Sequence, residues 1–274
     1  FVFKLVRTLR RTTFSVVVCM ALGAISAYAQ TAEIPRTQEG KPDLNGIWQA
    51  LGNAHWDIEP HAARAALQMQ PGPVVPVPAK DLLAFGAVGS VPSGVGVVVG
   101  GEIPYLPEAR ARKIENQENW AERDPEIKCY LPGVPRATYM PFPFQIFQSA
   151  SHFFIAYEYA GALRNIYMED PGPAQVDSWM GQSVGHWEGD TLVVETTRFS
   201  DQQVFRGLSL ETARLIERFT LVDPDTLRYE VTFEDPVNLR RPWTAMLAMP
   251  RTEGPMFEYA CHEGNYGMTG ILEI

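Results

Sequence analysis

The sequence predicts a mainly β protein in which antiparallel strands form a meander that closes as a barrel, with a β-sandwich as the alternative. From Phe144 onward, about eight segments rich in aromatic and β-branched residues follow one another with turn signals between them. One of these segments, residues 226–235, alternates apolar and charged residues, as a half-buried antiparallel strand does. No helical pattern interrupts the series, so the strands are expected to pair as successive hairpins.

The predicted strands share short length and a turn signal at each end. They lie within residues 144–159 (two strands), 163–170, 183–187, 191–199, 215–222, 226–235, 241–249 and 256–261. Glu188-Gly189-Asp190, Asp223-Pro224-Asp225 and Arg251-Thr252-Glu253-Gly254 supply turns between neighbouring strands.

A short motif ahead of these strands supports the barrel over the sandwich. Gly46-Ile47-Trp48 looks like the G-x-W that opens lipocalin-type barrels. We therefore expect a lipocalin-like barrel in which Trp48 closes one end of the core, a structural role.

Residues 1–29 have the pattern of a secretory signal peptide. Lys4, Arg7, Arg10 and Arg11 form a basic region, Phe14 to Ile25 is apolar, and Ala27-Tyr28-Ala29 fits the small-residue cleavage pattern. The apolar run is shorter than the roughly 20 residues that a transmembrane helix needs. The mature protein is predicted to begin near Gln30 and to be periplasmic or extracellular, with no membrane insertion after cleavage.

The remaining chain divides near residue 125. Residues 30–125 form a Pro/Gly-rich extended segment that is expected to cover the core, with one helix at 107–123, where Pro107 provides a favourable first position. Ile114, Trp120 and Ala121 form the thin apolar strip by which this helix is expected to pack. Residues 126–274 form the antiparallel β-domain.

The charge balance argues against nucleic acid as a partner. The chain carries a formal net charge of -9, and removal of the four basic residues of the signal peptide makes it -13. Such a surface repels phosphate backbones. Gly94-x-Gly96-x-x-x-Gly100 lacks the spacing of a dinucleotide-binding loop, so no cofactor is predicted.

Cleavage leaves two cysteines, Cys129 and Cys261, in a compartment where thiols oxidise. A disulfide between them is the favoured interpretation. A metal site formed by Cys261 and His262 is the alternative, but neighbours on a strand point to opposite faces.

Gly181-Gln182-Ser183-Val184-Gly185 matches the G-x-S-x-G pattern of the serine-hydrolase nucleophile elbow. That elbow requires a strand, a tight turn and then a helix, whereas the residues after Gly185 indicate strand, turn, strand. We therefore interpret this stretch as the beginning of a hairpin.

Four residues are candidates for acid/base catalysis. If the turn at Glu188–Asp190 has two residues, His186 and Glu195 share one face of the hairpin; with three residues they separate. Placed together in the barrel interior, they could transfer protons near neutral pH. His262 and Glu263, at the end of the last predicted strand, are the other two candidates.

Metal and ligand contacts have weaker signals. His55, Asp57, Glu59 and His61 occupy every second position and would share one face of a strand, although Pro60 argues against a regular strand there. Arg136 and Arg164 are the cations expected to meet an anionic ligand or a buried carboxylate. The aromatic candidates for lining a ligand pocket are Tyr157, Trp243 and Tyr259.

Over nearly the whole mature length the chain resembles an uncharacterised family of secreted bacterial proteins. The motifs that carry this resemblance are PDLNGIW, CYLPGVPR, GHWEGDTLVVET, ERFTLVDPDTLRYE and YACHEGNYG. The resemblance implies secretion but no assigned activity. In that family the segment after the hairpin often carries a histidine, which the corresponding stretch VFRGLSLETARLIERF lacks.

Three functions are consistent with these observations. The first is binding of a small lipophilic or aromatic molecule inside the barrel, the second is acid/base catalysis (isomerase, lyase or hydrolase) in the same fold, and the third is an envelope protein-interaction module. A cavity in the barrel lined by His or Glu would favour the first two functions. A packed interior would favour the third.

Overall fold

The computed structural model describes residues 33–65, 90–119 and 123–261. Nine strands form a closed barrel, which confirms the predicted barrel over the sandwich. The barrel strands are β1 (Gly46–Gln49), β4 (Pro143–Gln148), β5 (His152–Tyr157), β6 (Leu163–Tyr167), β7 (Gln182–Glu188), β8 (Thr191–Thr197), β11 (Arg214–Asp223), β12 (Thr226–Glu234) and β13 (Trp243–Thr252). Two ribbons of two-residue strands lie outside it: β2 (Arg64–Ala65) with β3 (Ser90–Val91), and β9 (Val204–Phe205) with β10 (Leu208–Ser209).

The order around the barrel is β1, β13, β12, β11, β8, β7, β6, β5, β4 and back to β1. Every neighbouring pair is antiparallel except β6 and β7, which are parallel, with Ile166 opposite Ser183. The prediction of an uninterrupted antiparallel meander is therefore wrong at this point. Parallel neighbours cannot be joined by a tight turn, and residues 168–181 form the long connection between them.

Strand β1 closes the barrel between β13 and β4. Trp48 is fully buried, and its indole Nε1 donates to the Leu44 carbonyl at 3.0 Å. The Arg251 guanidinium lies 4.3 Å from the centre of the Trp48 ring. A Cβ at Gly46, which has φ +138°, would lie 2.0 Å from Arg251 Nη1, so glycine at this position makes room for that arginine. The Gly-x-Trp motif is thus explained by packing.

The predicted last strand at 256–261 is not present. Strand β13 continues through the predicted turn at Arg251 as far as Thr252, and residues 253–260 have no regular structure. The end of β13 finds its partner in β1, with Ile47 opposite Thr252, so the barrel closes without a further hairpin. Phe257, expected on that strand, is 70% exposed.

Helix α1 spans Pro107–Glu118, with Pro107 at its first turn as expected. Its inward side is not the predicted apolar strip. Ile114 is half exposed, and Ala109, Lys113 and Asn116, at i, i+4 and i+7, are the buried and half-buried positions. Trp120 and Ala121 lie outside the described residues. A second helix, α2, spans Arg136–Tyr139, and two 3₁₀ turns cover Pro125–Lys128 and Tyr159–Gly161.

The extended segment before α1 lies against the barrel. Val98 forms a bridge with Ala245 of β13, and the backbone N–H of Met246 donates to the Val97 carbonyl at 3.0 Å. Cys129 and Cys261 form the predicted disulfide, with an S–S distance of 2.07 Å. In the part of the chain that the structure describes, no helix has the length and apolar character to cross a membrane.

Candidate functional site

The barrel interior is filled by buried side chains around one ion pair. Arg164 of β6 contacts the Glu217 carboxylate of β11 through both terminal nitrogens. Its Nε donates to Ser183 Oγ at 2.9 Å, and Nη2 also donates to Thr196 Oγ1 at 2.7 Å. Both charged side chains are almost fully buried. The desolvation cost of the pair is offset by these hydrogen bonds, which satisfy the guanidinium on several sides.

Two tyrosines complete this interior network. Tyr229 Oη donates to Glu217 Oε1 at 2.8 Å, and Tyr157 Oη lies 3.1 Å from Thr138 Oγ1 of α2. Burial raises the pKa of both phenols, and the Glu217 charge adds to the effect. Burial alone would lower the pKa of Arg164, but the Glu217 carboxylate raises it overall, so the guanidinium keeps its charge. The interior is therefore a closed structural core.

Ser183 belongs to this network and is not a nucleophile elbow. It lies within strand β7, is 1% exposed and contacts Arg164 and Thr196. The stretch is the beginning of a hairpin, as predicted.

The hairpin register settles where His186 and Glu195 lie. Glu188 pairs with Thr191 across a two-residue turn, so His186 and Glu195 share one face. That face is the outside of the barrel. His186 Nε2 lies 3.3 Å from Glu188 Oε1, and Glu195 pairs with Arg214, which lowers the Glu195 pKa chiefly through their hydrogen bond. The interior acid/base pair is thus ruled out, because strand alternation places both side chains in solvent.

One end of the barrel carries a cleft of about 280 Å³, which we call the end cleft. The loop after β1, helices α1 and α2 and the tip of the β9–β10 ribbon enclose it. Its apolar floor is formed by Trp56, Tyr139, Met140 and Phe205. The polar lining residues are His55, Asp57, Lys113, Asn116, Gln117, Arg123, Asp124, Arg136 and Arg206.

Arg206 builds one wall of the end cleft from an unusual backbone position. It and Gly207 both have positive φ, +52° and +77°, as the two central residues of a type I′ hairpin turn require. A left-handed conformation is uncommon for arginine, and such strain persists only where surrounding contacts hold it. Asn116 of α1 provides one of these contacts, because its Nδ2 donates to the Gly207 carbonyl.

The Arg206 side chain is clamped by three acceptors. Its Nη1 donates to Asp57 Oδ1 at 2.8 Å, its Nη2 to Glu59 Oε2 at 2.5 Å and its Nε to Tyr105 Oη at 3.0 Å. Burial alone would raise the Asp57 pKa, but the Arg206 charge and the Glu59 backbone N–H outweigh it, and the pKa is lowered. Burial raises the pKa of Tyr105 to about 12. The clamp joins the ribbon to the segment after β1.

These contacts explain why the predicted metal quartet does not form. Asp57 and Glu59 bind Arg206, while His61 contacts the backbone oxygens of Glu59 and Pro92 through its two ring nitrogens. Among the described residues, no group of three His, Cys, Asp or Glu side chains is placed to hold a metal ion. Of the four weak candidates, His55 and Asp57 line the end cleft, and the cation that Asp57 and Glu59 bind is the Arg206 guanidinium.

Lys113 is the basic side chain that α1 directs into the end cleft. Its Nζ lies 3.5 Å from Glu59 Oε2 and 5.5 Å from the centre of the Tyr105 ring. Burial lowers the Lys113 pKa, the nearby Arg206 charge lowers it further, and the carboxylates of Glu59 and Asp57 act in the opposite direction.

His55 stands beside Trp56 on the opposite side of the polar lining, with ring centroids 4.7 Å apart. Burial lowers the His55 pKa, against a hydrogen bond with the Gly52 backbone that raises it. Its imidazole is therefore neutral at pH 7.

The five predicted ligand contacts are dispersed. Arg136 lines the end cleft and pairs with Asp124, at 3.0 and 3.3 Å. Tyr157 and Arg164 belong to the barrel interior, Trp243 is stacked behind Phe205 and Phe233, and Tyr259 packs against Phe142 and Tyr159. His262 and Glu263 lie outside the described residues.

Sequence reasoning missed Lys113, Asn116, Tyr139 and Arg206. The helical spacing of Ala109, Lys113 and Asn116 was a usable signal, because polar residues at buried helix positions indicate a polar cavity rather than a core. The Arg206-Gly207 pair, a turn between two short apolar segments, was a weaker one.

Comparison of the chain with protein-family models, with characterised proteins and with solved structures found no match.

Proposed function

We propose that this protein binds, in the end cleft, a small molecule with an aromatic or apolar body and an anionic group. The observation that carries the proposal is that one cavity is lined both by the aromatic and apolar side chains of its floor and by four basic side chains, which we call its wall. Its volume, about 280 Å³, is near the lower limit for small-molecule sites, so the ligand has one or two rings.

The floor favours an aromatic body. Phe205 is backed by Phe233, at 5.5 Å between ring centroids, and meets Tyr139 edge to face at 6.2 Å. Trp56 is 39% exposed beside them. A planar ring entering this floor gains burial and aromatic contact with little loss of side-chain entropy, because the packed Phe205 ring is already held in place.

The wall favours an anion. Four basic residues line the cleft against two acidic ones, and Lys113 has three N–H donors with its carboxylate neighbour at the long distance of 3.5 Å. A ligand carboxylate near Lys113 would receive charge-assisted hydrogen bonds in a partly desolvated place.

Isothermal titration calorimetry with 2-naphthoate and the neutral 2-naphthamide tests the proposal. We expect the carboxylate to bind about tenfold or more tightly than the amide, because a hydrogen bond to a charged group contributes about 1.5–3 kcal/mol. The Lys113→Met variant should lose that preference. Arg110→Met, an exposed position one turn earlier on α1, is the matched control and should retain it.

Two results would contradict the proposal. One is the absence of measurable binding of either compound to a folded protein. The other is a carboxylate preference that is equal in wild type and Lys113→Met, with the unfolding midpoint of each variant measured to exclude misfolding.

We also propose that residues 1–29 are removed on export and that the protein functions in the periplasm or outside the cell. The Cys129–Cys261 disulfide supports this, because such bonds persist in oxidising compartments. Mass spectrometry of the exported protein tests it, with Gln30 expected as the first residue. An uncleaved N-terminus in exported material would contradict the proposal.

The packed interior also leaves an interaction module as the second candidate. The observation favouring it is a group of exposed apolar side chains beside the end cleft, with Val95 92%, Leu51 62% and Met246 43% exposed. Sedimentation of wild type and Val95→Ser tests for self-association. Concentration-dependent association that the substitution removes would support this candidate, and a monomer at all concentrations would count against association of copies through this surface.

A further inference from the structure

Lys113 differs in its surroundings from the two other lysines that the structure describes. Its side chain is 22% exposed and lines the end cleft. Lys128 is exposed on a 3₁₀ turn, and Lys41 lies over the Trp187 ring at 5.6 Å and does not line the end cleft. A lysine amine that lines a cleft can react with a molecule that the cleft binds and orients.

One carboxylate lies beside two cations. Arg206 Nη2 and Lys113 Nζ both face Glu59 Oε2, at 2.5 and 3.5 Å. A guanidinium does not deprotonate in proteins, so the lysine is the group that responds to crowding of positive charge. Burial and the Arg206 charge both lower the Lys113 pKa, which enlarges its neutral, nucleophilic fraction at neutral pH.

We propose that Lys113 forms a reversible imine with a small aromatic or apolar aldehyde or ketone held in the end cleft. This rests on the proposed function, since it uses the same cleft, and it names the reactive group of the ligand.

The atoms balance without any oxidant or reductant. The neutral Nζ adds to the carbonyl carbon, the carbonyl π pair moves to oxygen, and a proton passes from nitrogen to oxygen to give a carbinolamine. The hydroxyl then leaves with the remaining amine proton as water, and a C=N bond forms. Glu59, 3.5 Å from Nζ, stabilises the protonated form of this imine by its negative charge.

The neighbouring groups fit this chemistry. The Trp56 and Phe205 rings are available to contact the body of the ligand. In a ligand with two polar ends, the carbonyl takes the place beside Lys113 that the carboxylate takes in the proposed function. The carboxylate can then face Arg136, another basic residue of the lining. An aromatic carbonyl compound carrying a carboxylate therefore matches the cleft best.

Reductive trapping tests the proposal on the mature chain. The protein is incubated with 4-formylbenzoate and sodium cyanoborohydride, and alkylation of each lysine is followed by peptide mapping. We expect Lys113 to be alkylated about tenfold or more faster than Lys128 near neutral pH. The rate of Lys113 alkylation should also reach its plateau at a lower pH than the rate for Lys128, because a lowered pKa makes the Lys113 amine neutral at a lower pH.

Two controls separate this inference from the proposed function. 4-Methylbenzoate lacks the carbonyl, so it should bind by calorimetry and protect Lys113 from alkylation. Lys113→Arg lacks the reactive amine and should give no adduct in the cleft. Comparison of Lys113 with Lys128 within the wild-type molecule needs no variant, so a misfolded variant does not remove the test.

The outcomes are distinct. Alkylation of Lys113 no faster than that of Lys128, with 4-methylbenzoate bound, overturns the imine and leaves the proposed function standing. Failure of both alkylation and binding overturns both. Fast alkylation of Lys113 that 4-methylbenzoate does not slow also overturns the proposal, since the reaction would then take place outside the ligand-binding cleft.

Discussion

Two buried arginines, Arg164 in the barrel interior and Arg206 at the end cleft, have similar partners and opposite surroundings. Each binds carboxylate and hydroxyl oxygens. Burial alone would lower the pKa of each, but these neighbours raise it, chiefly Glu217 for Arg164, and Tyr105 followed by Asp57 and Glu59 for Arg206. Arg164 joins strands β6, β7, β8 and β11, and the side chain is 1% exposed. Arg206 joins a hairpin tip to the segment after β1, and one side of it faces a cavity.

The contrast separates an ion pair that is enclosed in the core from one that borders a cavity. In the interior the Arg164 side chain is held by Glu217, Ser183 and Thr196 and is only 1% exposed, so little of it is accessible to a ligand. At the end cleft the clamp around Arg206 leaves Lys113 and Arg136 on the cavity surface. A buried ion pair is weak evidence that the pair stabilises the fold. It is also weak evidence of a functional site unless the pair borders a cavity.

The largest effect on stability is expected from loss of the disulfide, which lies close in the chain to residues of the end cleft. Cys129 lies in the chain between Asp124 and Arg136, both of which line the end cleft. With a sequence separation of 132, replacing both cysteines by serine should cost about 4–5 kcal/mol on the chain-entropy model. Urea denaturation measures this loss in the free energy of unfolding. Binding of naphthoate in the end cleft should weaken as well. Equal stability of oxidised and reduced protein would contradict this expectation.

The next largest effect is expected from Glu217→Gln, which breaks the interior pair. It leaves the Arg164 charge buried without its counter-ion, and removal of one partner of a buried pair costs about 3–5 kcal/mol. Glu234→Gln is the matched control, because Glu234 pairs with Arg214 on the half-exposed outer face, where a pair contributes about 0.2–1 kcal/mol. If urea denaturation shows the same loss in the free energy of unfolding for both variants, the interior ion pair is no more important to stability than the surface pair.

Arg206→Met should have a smaller effect on stability and a larger one on the end cleft. Water can reach the released Asp57 carboxylate, so the expected cost is about 1–3 kcal/mol. Arg198→Met is a matched control, since Arg198 also has a positive φ, +62°, but pairs with Asp177 in solvent. Calorimetry should show weaker naphthoate binding for Arg206→Met only. Unchanged binding would show that the clamp does not shape the cleft.

The acid dependence of stability should respond to the same substitution. The Asp57 pKa is lower in the folded state than the usual unfolded value of about 3.9, so its contribution is complete above that pH. It is lost as the pH falls through the lower folded pKa. Without Arg206, burial raises the Asp57 pKa toward or above its unfolded value, so the acid-dependent loss of stability that Asp57 causes should shrink or reverse in Arg206→Met. NMR titration of the Asp57 carboxyl carbon measures this, and an unchanged titration would disprove the link.

The smallest effect is expected on the outer face. His186→Ala and Glu195→Gln should each change stability by no more than about 0.5–1 kcal/mol, because both side chains are substantially exposed and their ion pairs are screened. Thermal unfolding measures the change in stability. Calorimetric titration with naphthoate should show that ligand binding is unchanged in both variants. Loss of ligand binding in either variant would place a site on the outside of the barrel.

Much of the architecture follows from local signals. The alternation in β12 and the Gly-Asp turn after β7 depend on neighbouring residues only, and they predicted the hairpins and the exclusion of Ser183 as a nucleophile. The disulfide followed from a count of two cysteines in a predicted signal-peptide context. Even the false strand at 256–261 had a local cause, since aromatic residues alternate there whether or not a partner strand exists.

The site depended on contacts that no local pattern contains. Local patterns were enough to predict a mainly β fold, its hairpins and the polar character of residues 55–61, and they favoured a barrel while leaving a sandwich as the alternative. Only the tertiary structure decided that the hairpin face carrying His186 lies outside, that β1 closes the barrel, and that Arg206 meets Asp57 from 149 residues away. Strand alternation determines that two side chains share a face, but burial of that face depends on the whole closed sheet. A salt bridge between distant segments likewise forms only after the chain has folded.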